Sequence, residues 1–430
     1  MIKKAVTLGI LLVSFLCMIS ATAYSETLEE RLNRLDREIQ ELKAQAAKRE
    51  AELAEIKSAA KVAPPAVAAP TVAAPAKLVE GDVWTKYNMR LYGRVKVDVN
   101  YDTAQFDRYN DFVGAVKAGS NYTNDSVDFN PRDTRFGFEA SHTDGDWEGL
   151  GRFEMDFYGN ENVNNLLPRL RLGYVKLLHN PCNTSLLIGQ DWIPVAQLNP
   201  NTVDFGILTA AGNLWWRVPQ ITVRKQIGDV ELLASAMKHR RIDTTEENRM
   251  PWVLGRVAYN GGLLGKGNSI ALGGGYRTED DINDHRIERN LLAAELKLAQ
   301  GPWSLRAEPW IGKGIGDEFL RYNMSVNTTK DPTDPEAIWA IGGFVDLTYA
   351  INPKWSVTAG YGVDDPDNED MEGIAFNDRQ FTRNSQTFFN TWYQLTKAVK
   401  VGAEFIYLET ERFSDINNGN RFTVSTFYEF

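Results

Sequence analysis

The sequence predicts an all-β transmembrane barrel of about 16 antiparallel strands, preceded by an α-helical coiled coil. Three observations predict it. The first is the stretch from Tyr87 to Tyr101, in which Tyr87, Met89, Leu91, Gly93, Val95, Val97, Val99 and Tyr101 share one parity. Asn88, Arg90, Tyr92, Arg94, Lys96, Asp98 and Asn100 take the other. A strand sends successive side chains to opposite faces, so one face here is apolar and the other charged. The run is about 15 residues long, against about 5–6 for an ordinary strand. A long tilted strand of this kind suits lipid on one side and water on the other. A long strand of a soluble β-sandwich is the competing reading of this stretch alone. The second observation is that comparable segments recur to the end, joined by alternately long and short connections. The third is the last segment: Phe422, Val424, Thr426, Tyr428 and Phe430 face one way, and the sequence ends on Phe430.

Composition agrees with this class. After the first residues no apolar run approaches the roughly 18 residues of a membrane-spanning helix. Mean hydropathy is −0.35, which a barrel reaches because its lumen-facing residues are polar. The 11 Trp, 16 Tyr and 20 Phe suit aromatic girdles at the membrane boundaries. A formal charge of −10 argues against nucleic acid as a partner. The four histidines, His142, His179, His239 and His285, are widely scattered, so neither a metal site nor a cofactor is expected.

The elements follow in order. Residues 1–23 read as a secretory signal: Lys3 and Lys4, an apolar core to Ile19, then Ala21-Thr22-Ala23 as the cleavage site. Of the two cysteines only Cys182 lies beyond that site, so an intrachain disulfide is excluded after cleavage. Residues 26–61 read as a coiled coil. Leu28, Leu32, Leu35, Ile39 and Leu42 alternate four and three apart, and Ala46, Arg49, Leu53, Ile56 and Ala60 continue the register. This makes about five heptads with a weak middle at Ala46 and Arg49; a lone amphipathic helix packed on a domain is the alternative. Residues 62–82 form a Pro/Ala-rich linker, in which Pro64, Pro65, Pro70 and Pro75 favour extended polyproline II. Its proline-bearing part spans roughly 45 Å.

Residues 83–430 form the barrel. With the coiled coil in the periplasm, the expected external connections are 102–132, 159–167, 196–213, 241–249, 279–286, 314–336, 364–379 and 411–419. The short turns near Gly145, Pro181, Gly228, Gly262, Gly301, Asn352 and Lys397 are then periplasmic. Long outside and short inside is the asymmetry of outer-membrane barrels. Cys182 falls in one of the short turns. Pro309 interrupts a strand pattern and suggests a bulge, since proline removes a ladder donor.

The lumen-facing parity carries Arg90, Arg94, Lys96, Arg135, Arg152, Arg256 and Arg306, with Arg169, Arg171 and Arg224 added by the neighbouring segments. Asp98, Glu139, Glu154, Asp156, Glu308 and Glu404 offset some of them. Arginines in a narrow aqueous pore attract anions, and the planar fork suits carboxylates or phosphates. The alternative is that these side chains pair across strands and pack the wall. Asp364 to Glu372 is dense in carboxylates and reads first as a solvated loop; divalent-cation bridging to lipopolysaccharide is the other reading. Ser141 and His142 are neighbours on opposite faces and cannot form a dyad, so an enzyme is not expected.

Several segments resemble trimeric Gram-negative porins, and most of all the DcaP-like porins. They are Leu91-Tyr-Gly-Arg94, Gly151-Arg-Phe-Glu-Met-Asp-Phe-Tyr-Gly159, Leu170-Arg-Leu-Gly-Tyr174, Gly189-Gln-Asp-Trp192, Arg217-Val-Pro-Gln-Ile221 and Val401-Gly-Ala-Glu-Phe405. The resemblance implies a homotrimer in the outer membrane, a periplasmic coiled coil, and passive diffusion of small anionic solutes. It also implies that the third external connection, Pro194 to Asn213, folds into the pore as a constriction carrying Gln197, Asn199, Asn201 and Asp204. Asp204 is the only acid there, which counts against cation selectivity. Tyr428 and Phe430 resemble the signal read by the outer-membrane assembly machinery. Lipid bilayer and lipopolysaccharide are the expected surroundings. The coiled coil is expected to stabilise the trimer or to reach peptidoglycan, and a structural or adhesin-type barrel is the alternative to a pore.

Overall fold

The computed structural model describes residues 40, 43, 88–106, 113–119, 125–159, 166–240, 250–265, 267–280, 285–320, 324–331, 333–374 and 380–430. The chain divides into two compact units, Met1–Val79 and Glu80–Phe430. In the first unit Gln40 and Lys43 are described, both helical and exposed. The remainder of the expected signal peptide, coiled coil and linker lies outside the described residues.

The second unit is a closed antiparallel barrel. Its strands are β1 (Asn88–Asp102), β2 (Ser126–Asn130), β3 (Arg135–Asp144), β4 (Trp147–Asp156), β5 (Arg169–His179), β6 (Thr184–Trp192) and β7 (Arg217–Ile227). There follow β8 (Val230–Met237), β9 (Trp252–Tyr259), β10 (Ser269–Asp280), β11 (Arg286–Gln300) and β12 (Trp303–Lys313). A two-residue ribbon, β13 (Val326–Asn327) with β14 (Glu336–Ala337), lies outside the wall. The wall then continues through β15 (Trp339–Asn352), β16 (Trp355–Pro366), β17 (Arg383–Gln394), β18 (Val399–Glu411) and β19 (Ile416–Glu429). Each wall strand pairs with its sequence neighbour, and β19 returns to β1 with Arg94 opposite Glu429 and Asp102 opposite Arg421. The sheet has 17 strands, but β2 and β3 both pair with β1, at opposite ends of it. They are one strand broken at 131–134, so the described wall has sixteen positions.

Burial is inverted relative to a soluble protein. On β1, Leu91 and Val95 are 58% and 47% exposed, whereas Lys96 and Asp98 are 1% and 3% exposed. Apolar side chains face outward, where lipid would cover them, and charged ones face in. Exposed aromatics mark the short-turn rim: Trp147, Trp303, Trp355, Tyr393 and Tyr428. Gly145, Gly228 and Gly301, at φ +56°, +57° and +56°, close three of the short turns in the left-handed region that glycine tolerates.

Three local expectations change. The first long connection ends at Ser126, because β2 already pairs with β1 there. The last strand starts at Ile416, not Arg421, and shortens the final long connection to 412–415. At Pro309 the proline faces Gly343 in regular register with β15, while the β11 ladder skips from the Ala293–Trp310 pair to the Leu296–Ala307 pair. The missing N–H is therefore accommodated by an interruption on one side only.

Candidate functional site

The interior is organised by the connection between β6 and β7. Residues 193–216 turn inward, and Val195, Val203, Asp204, Leu208, Ala210, Ala211 and Trp215 are buried. A loop that leaves the surface must have its backbone polar groups satisfied. Inner-wall carboxylates satisfy them here. Glu308 accepts from the Leu198 amide at 2.9 Å, and Asp346 from the Asn201 amide at 3.0 Å. Glu404 accepts from the Val203 and Asp204 amides, both at 2.8 Å. Trp310 Nε1 donates to the Gly212 carbonyl at 2.6 Å and Asn384 Nδ2 to the Ala210 carbonyl at 2.6 Å. The far side of the loop sits on a glycine patch of the wall. A Cβ on Gly212 (φ +93°) would lie 2.2 Å from the Val363 carbonyl and 2.3 Å from that of Gly343. A Cβ on Gly362 would lie 2.3 Å from the Ala211 carbonyl. Residues 113–117 of the first long connection join it. Asn384 and Gln386 both donate to the Gly114 carbonyl, and Thr410 Oγ1 accepts from the Val116 amide at 2.9 Å.

The expected constriction residues separate. Asn201 spans to the wall, donating to Thr358 Oγ1 at 2.8 Å. Gln197 and Asn199 bond within the loop, to the Pro194 carbonyl and Asn213 respectively. Asp204 is an ion-pair partner: Arg421 Nη1 reaches its Oδ2 at 2.8 Å and chelates Asp102 at 2.7 and 2.8 Å. Its charge is therefore neutralised by the wall rather than presented to a solute.

The expected cations concentrate on β1–β7. Asp133, in the break between β2 and β3, receives Arg94 at 2.5 Å, Arg135 at 2.9 Å and Lys96 at 3.3 Å. Lys96 also meets Asp98 at 3.0 Å and donates to the Val203 carbonyl at 2.7 Å. Asp156 holds Arg169 and Arg171, each at 2.7 Å, and Arg171 reaches Glu154 at 2.6 Å. Nearer the short-turn rim Arg90 meets Glu139 at 2.7 Å, and Arg152 donates to Tyr92 Oη at 2.8 Å with Glu139 at 3.4 Å. On the rest of the wall the pairs are closed. Arg224 meets Glu231 at 3.0 Å, Arg256 lies between Glu231 and Glu295 at 2.8 and 2.7 Å, and Arg306 meets Asp346 at 3.1 Å. Cross-strand pairing, the alternative to a free arginine ring, thus holds for most of these side chains. Arg94, Lys96, Arg135, Arg169, Arg171 and the unexpected Arg217 face Asp98, Asp133, Glu154 and Asp156, which leaves this set two positive charges in excess.

Sequence reasoning placed Glu308 and Glu404 on the lumen face but missed Asp133, Asp346, Arg217 and Arg421. The strand glycines at 343 and 362 were the one signal that a backbone approaches the wall closely. Tyr428 and Phe430 lie with exposed rings at the seam, where Phe430 and Gly93 exchange backbone bonds at 3.0 and 3.1 Å. Of the acidic run, Asp364 and Asp365 belong to β16, Asp370 Oδ2 accepts from the Trp339 amide at 2.8 Å, and Asp367 Oδ1 from the Glu369 amide at 2.9 Å.

No family model matches the chain, and no curated protein matches it. Solved structures do. The outer membrane channel DcaP of Acinetobacter baumannii superposes with a TM-score of 0.70 at 21% identity, covering 80% of this chain and 97% of that one. The anion-selective porin from Comamonas acidovorans gives 0.58 at 13% identity, covering 80% and all of the other chain (100%). The trimer form of OmpT, an outer membrane protein of Vibrio cholerae, gives 0.51 at 12%, covering 80% and 99%.

Proposed function

We propose that this chain, which has the barrel fold of the outer-membrane porins, is a porin for passive diffusion of small hydrophilic solutes that favours anions such as carboxylates. The observation that carries the preference is the charge excess on β1–β7, set against a loop whose single acid, Asp204, is already held by Arg421. Fixed positive charge in a narrow, low-dielectric passage raises the local concentration of anions and excludes cations. The arginines do so without moving, because shared carboxylates hold them in place.

The rest of the reading follows from the same fold. The protein sits in the outer membrane of a Gram-negative bacterium after removal of residues 1–23, with lipid and lipopolysaccharide around its apolar face. The terminal strand, ending on Tyr428 and Phe430, is presented to the assembly machinery. It forms a homotrimer, and residues 26–61 lie in the periplasm as a coiled coil on the 62–82 linker. That linker and coil support a second role, a tether to peptidoglycan. Pull-down with isolated peptidoglycan tests it: binding lost on deleting 26–61 supports the tether, and no binding by the full chain removes it.

Single-channel current in a planar bilayer under a potassium chloride gradient tests the porin. Stepwise conductance with an anion-selective reversal potential is expected. Cation selectivity would keep the pore and refute the charge argument. Silence from folded, heat-modifiable protein would favour the structural or adhesin barrel.

A further inference from the structure

The chain also turns inward after β12. Gly314, at φ +69°, takes the left-handed conformation that glycine tolerates. Residues 315–320 then leave the wall as a single helical turn, Gly316–Phe319, with its flanking residues. Ile315, Gly316, Glu318, Phe319 and Leu320 are buried. Phe319 packs edge-on against Trp252 of β9, with ring centres 4.9 Å apart. The same cluster holds Met237 and Leu254 of β8 and β9, and Val195 and Leu214 of the inward loop. The two inward segments are bonded to each other: the Trp215 amide donates to the Phe319 carbonyl at 3.1 Å, and Trp216 Nε1 to the Leu320 carbonyl at 3.2 Å. Polar contacts tie the turn to the wall. Glu318 accepts from the Arg240 amide at 2.7 Å and from Arg277 Nη1 at 3.0 Å, and Arg289 Nη1 donates to the Gly314 carbonyl at 2.8 Å. Arg277 and Arg289 are in turn held together by Glu279.

The consequence is an uneven mouth. Lumen-facing side chains of a water-filled barrel should be wet. At the outer end of β10–β11 they are dry: the Arg289 side chain is 0% exposed, against 25% for Arg169 on β5. We propose that residues 314–320 are a stopper over the β8–β12 side of the outer mouth, and that Glu318 is the positioning residue that latches it and so sets the size limit for solutes. The inference rests on the porin reading and adds to it a limit on size that is separate from charge. Phe319 and Leu320 supply the apolar contact, which has no direction of its own. Glu318 supplies the direction, because one carboxylate joins a guanidinium on β10 to the backbone that follows β8. The wall does not need that carboxylate, since the strand ladder is made by backbone and Glu279 still neutralises Arg277 and Arg289. Release of the latch therefore frees the stopper and leaves the barrel intact.

The experiment uses the full chain in liposomes and two readouts. The first is swelling with uncharged sugars, arabinose and raffinose, which do not respond to the lost charge. In E318A the raffinose rate relative to arabinose should rise. The second is reaction of a cysteine placed under the stopper with a membrane-impermeant sulfonated thiol reagent. M237C in a C182S background provides it, because Met237 is fully buried in the Phe319 cluster. Adding E318A should speed its labelling about tenfold, the weight of one charged hydrogen bond. E318Q keeps an acceptor and should fall between in both readouts. If E318A does not yield heat-modifiable protein, E318Q decides: labelling and sugar ratio both unchanged overturn the latch. Folded E318A that matches the wild type in both readouts refutes the stopper and leaves the porin reading standing. Faster labelling with an unchanged sugar ratio refutes the size limit. Wild-type liposomes that admit neither sugar remove the porin reading, and the size limit with it.

Discussion

Replacing Glu404 by alanine is expected to loosen the inward loop without unfolding the barrel. Glu404 faces inward on β18, is 4% exposed, and accepts from two successive loop amides, Val203 and Asp204, at 2.8 Å each. Asn390 Nδ2 donates to the same carboxylate at 2.8 Å and to the Asn201 carbonyl at 2.5 Å, so one wall residue braces the anchor and the loop together. A hydrogen bond to a charged group contributes about 1.5–3 kcal/mol. Two such bonds set an upper range of about 3–6 kcal/mol, and water entering the vacated space restores part of it. A net loss of about 3 kcal/mol raises the undocked population by roughly a hundredfold. The β18 ladder is backbone-made and survives. The assay is single-channel recording of E404A beside E404Q, which keeps one acceptor and should lie between alanine and wild type. Open-channel noise and mean conductance should rise in the order wild type, E404Q, E404A, with heat-modifiability on gels preserved. Unchanged noise and conductance in folded E404A would refute the reasoning that these carboxylates suspend the loop.

Four further outcomes are expected. G212A should displace the loop more severely than E404A, because a Cβ meets two wall carbonyls at 2.2 and 2.3 Å and the backbone is at φ +93°; proteolysis within 193–216 of folded protein reports it. R421M removes the guanidinium that holds the buried carboxylates of Asp102 and Asp204 together, costs about 3–5 kcal/mol, and should lower the temperature of the gel-shift transition markedly. R94E and R135E place further negative charge beside Asp133 and should reduce anion preference; unchanged reversal potentials would remove both from the selective wall. In the 180–182 turn the Cys182 thiol is lowered to about 7 by hydrogen bonding from Thr184 and His179. Maleimide labelling should therefore rise with pH through about 7 as the thiolate forms, and T184V should move that rise upward; a rise near the ordinary thiol value in wild type would contradict the arrangement.

The strand alternation made the wall legible from the sequence because period-two burial is a local property: Val95, Val97 and Val99 against Lys96, Asp98 and Asn100 needs no partner to be read. For the same reason the turn glycines and the long-short asymmetry located most of the connections. The lumen-facing arginines were legible as a set, since facing follows from parity. Their state was not. Whether Arg256 is free or pinned depends on Glu231, on the adjoining β8, and on Glu295, which reaches it from β11 across β10, and pairing registers are set by the closed sheet.

What the sequence by itself determined is therefore the barrel, its inside and its outside, through side-chain alternation along each strand. What only the tertiary structure decided is the constriction. Glu404 meets Val203, Arg421 meets Asp204 and Trp310 meets Gly212 across separations of 201, 217 and 98 residues. Closure of the sheet places those wall side chains around one inward loop, and no local pattern encodes which of them will meet. The same closure leaves Arg217, at the start of β7, buried with its guanidinium 4.7 and 5.1 Å from the Trp192 and Trp215 ring centres. Its physical cause is the cost of burying polar backbone and charge, which is settled only when every partner is in place.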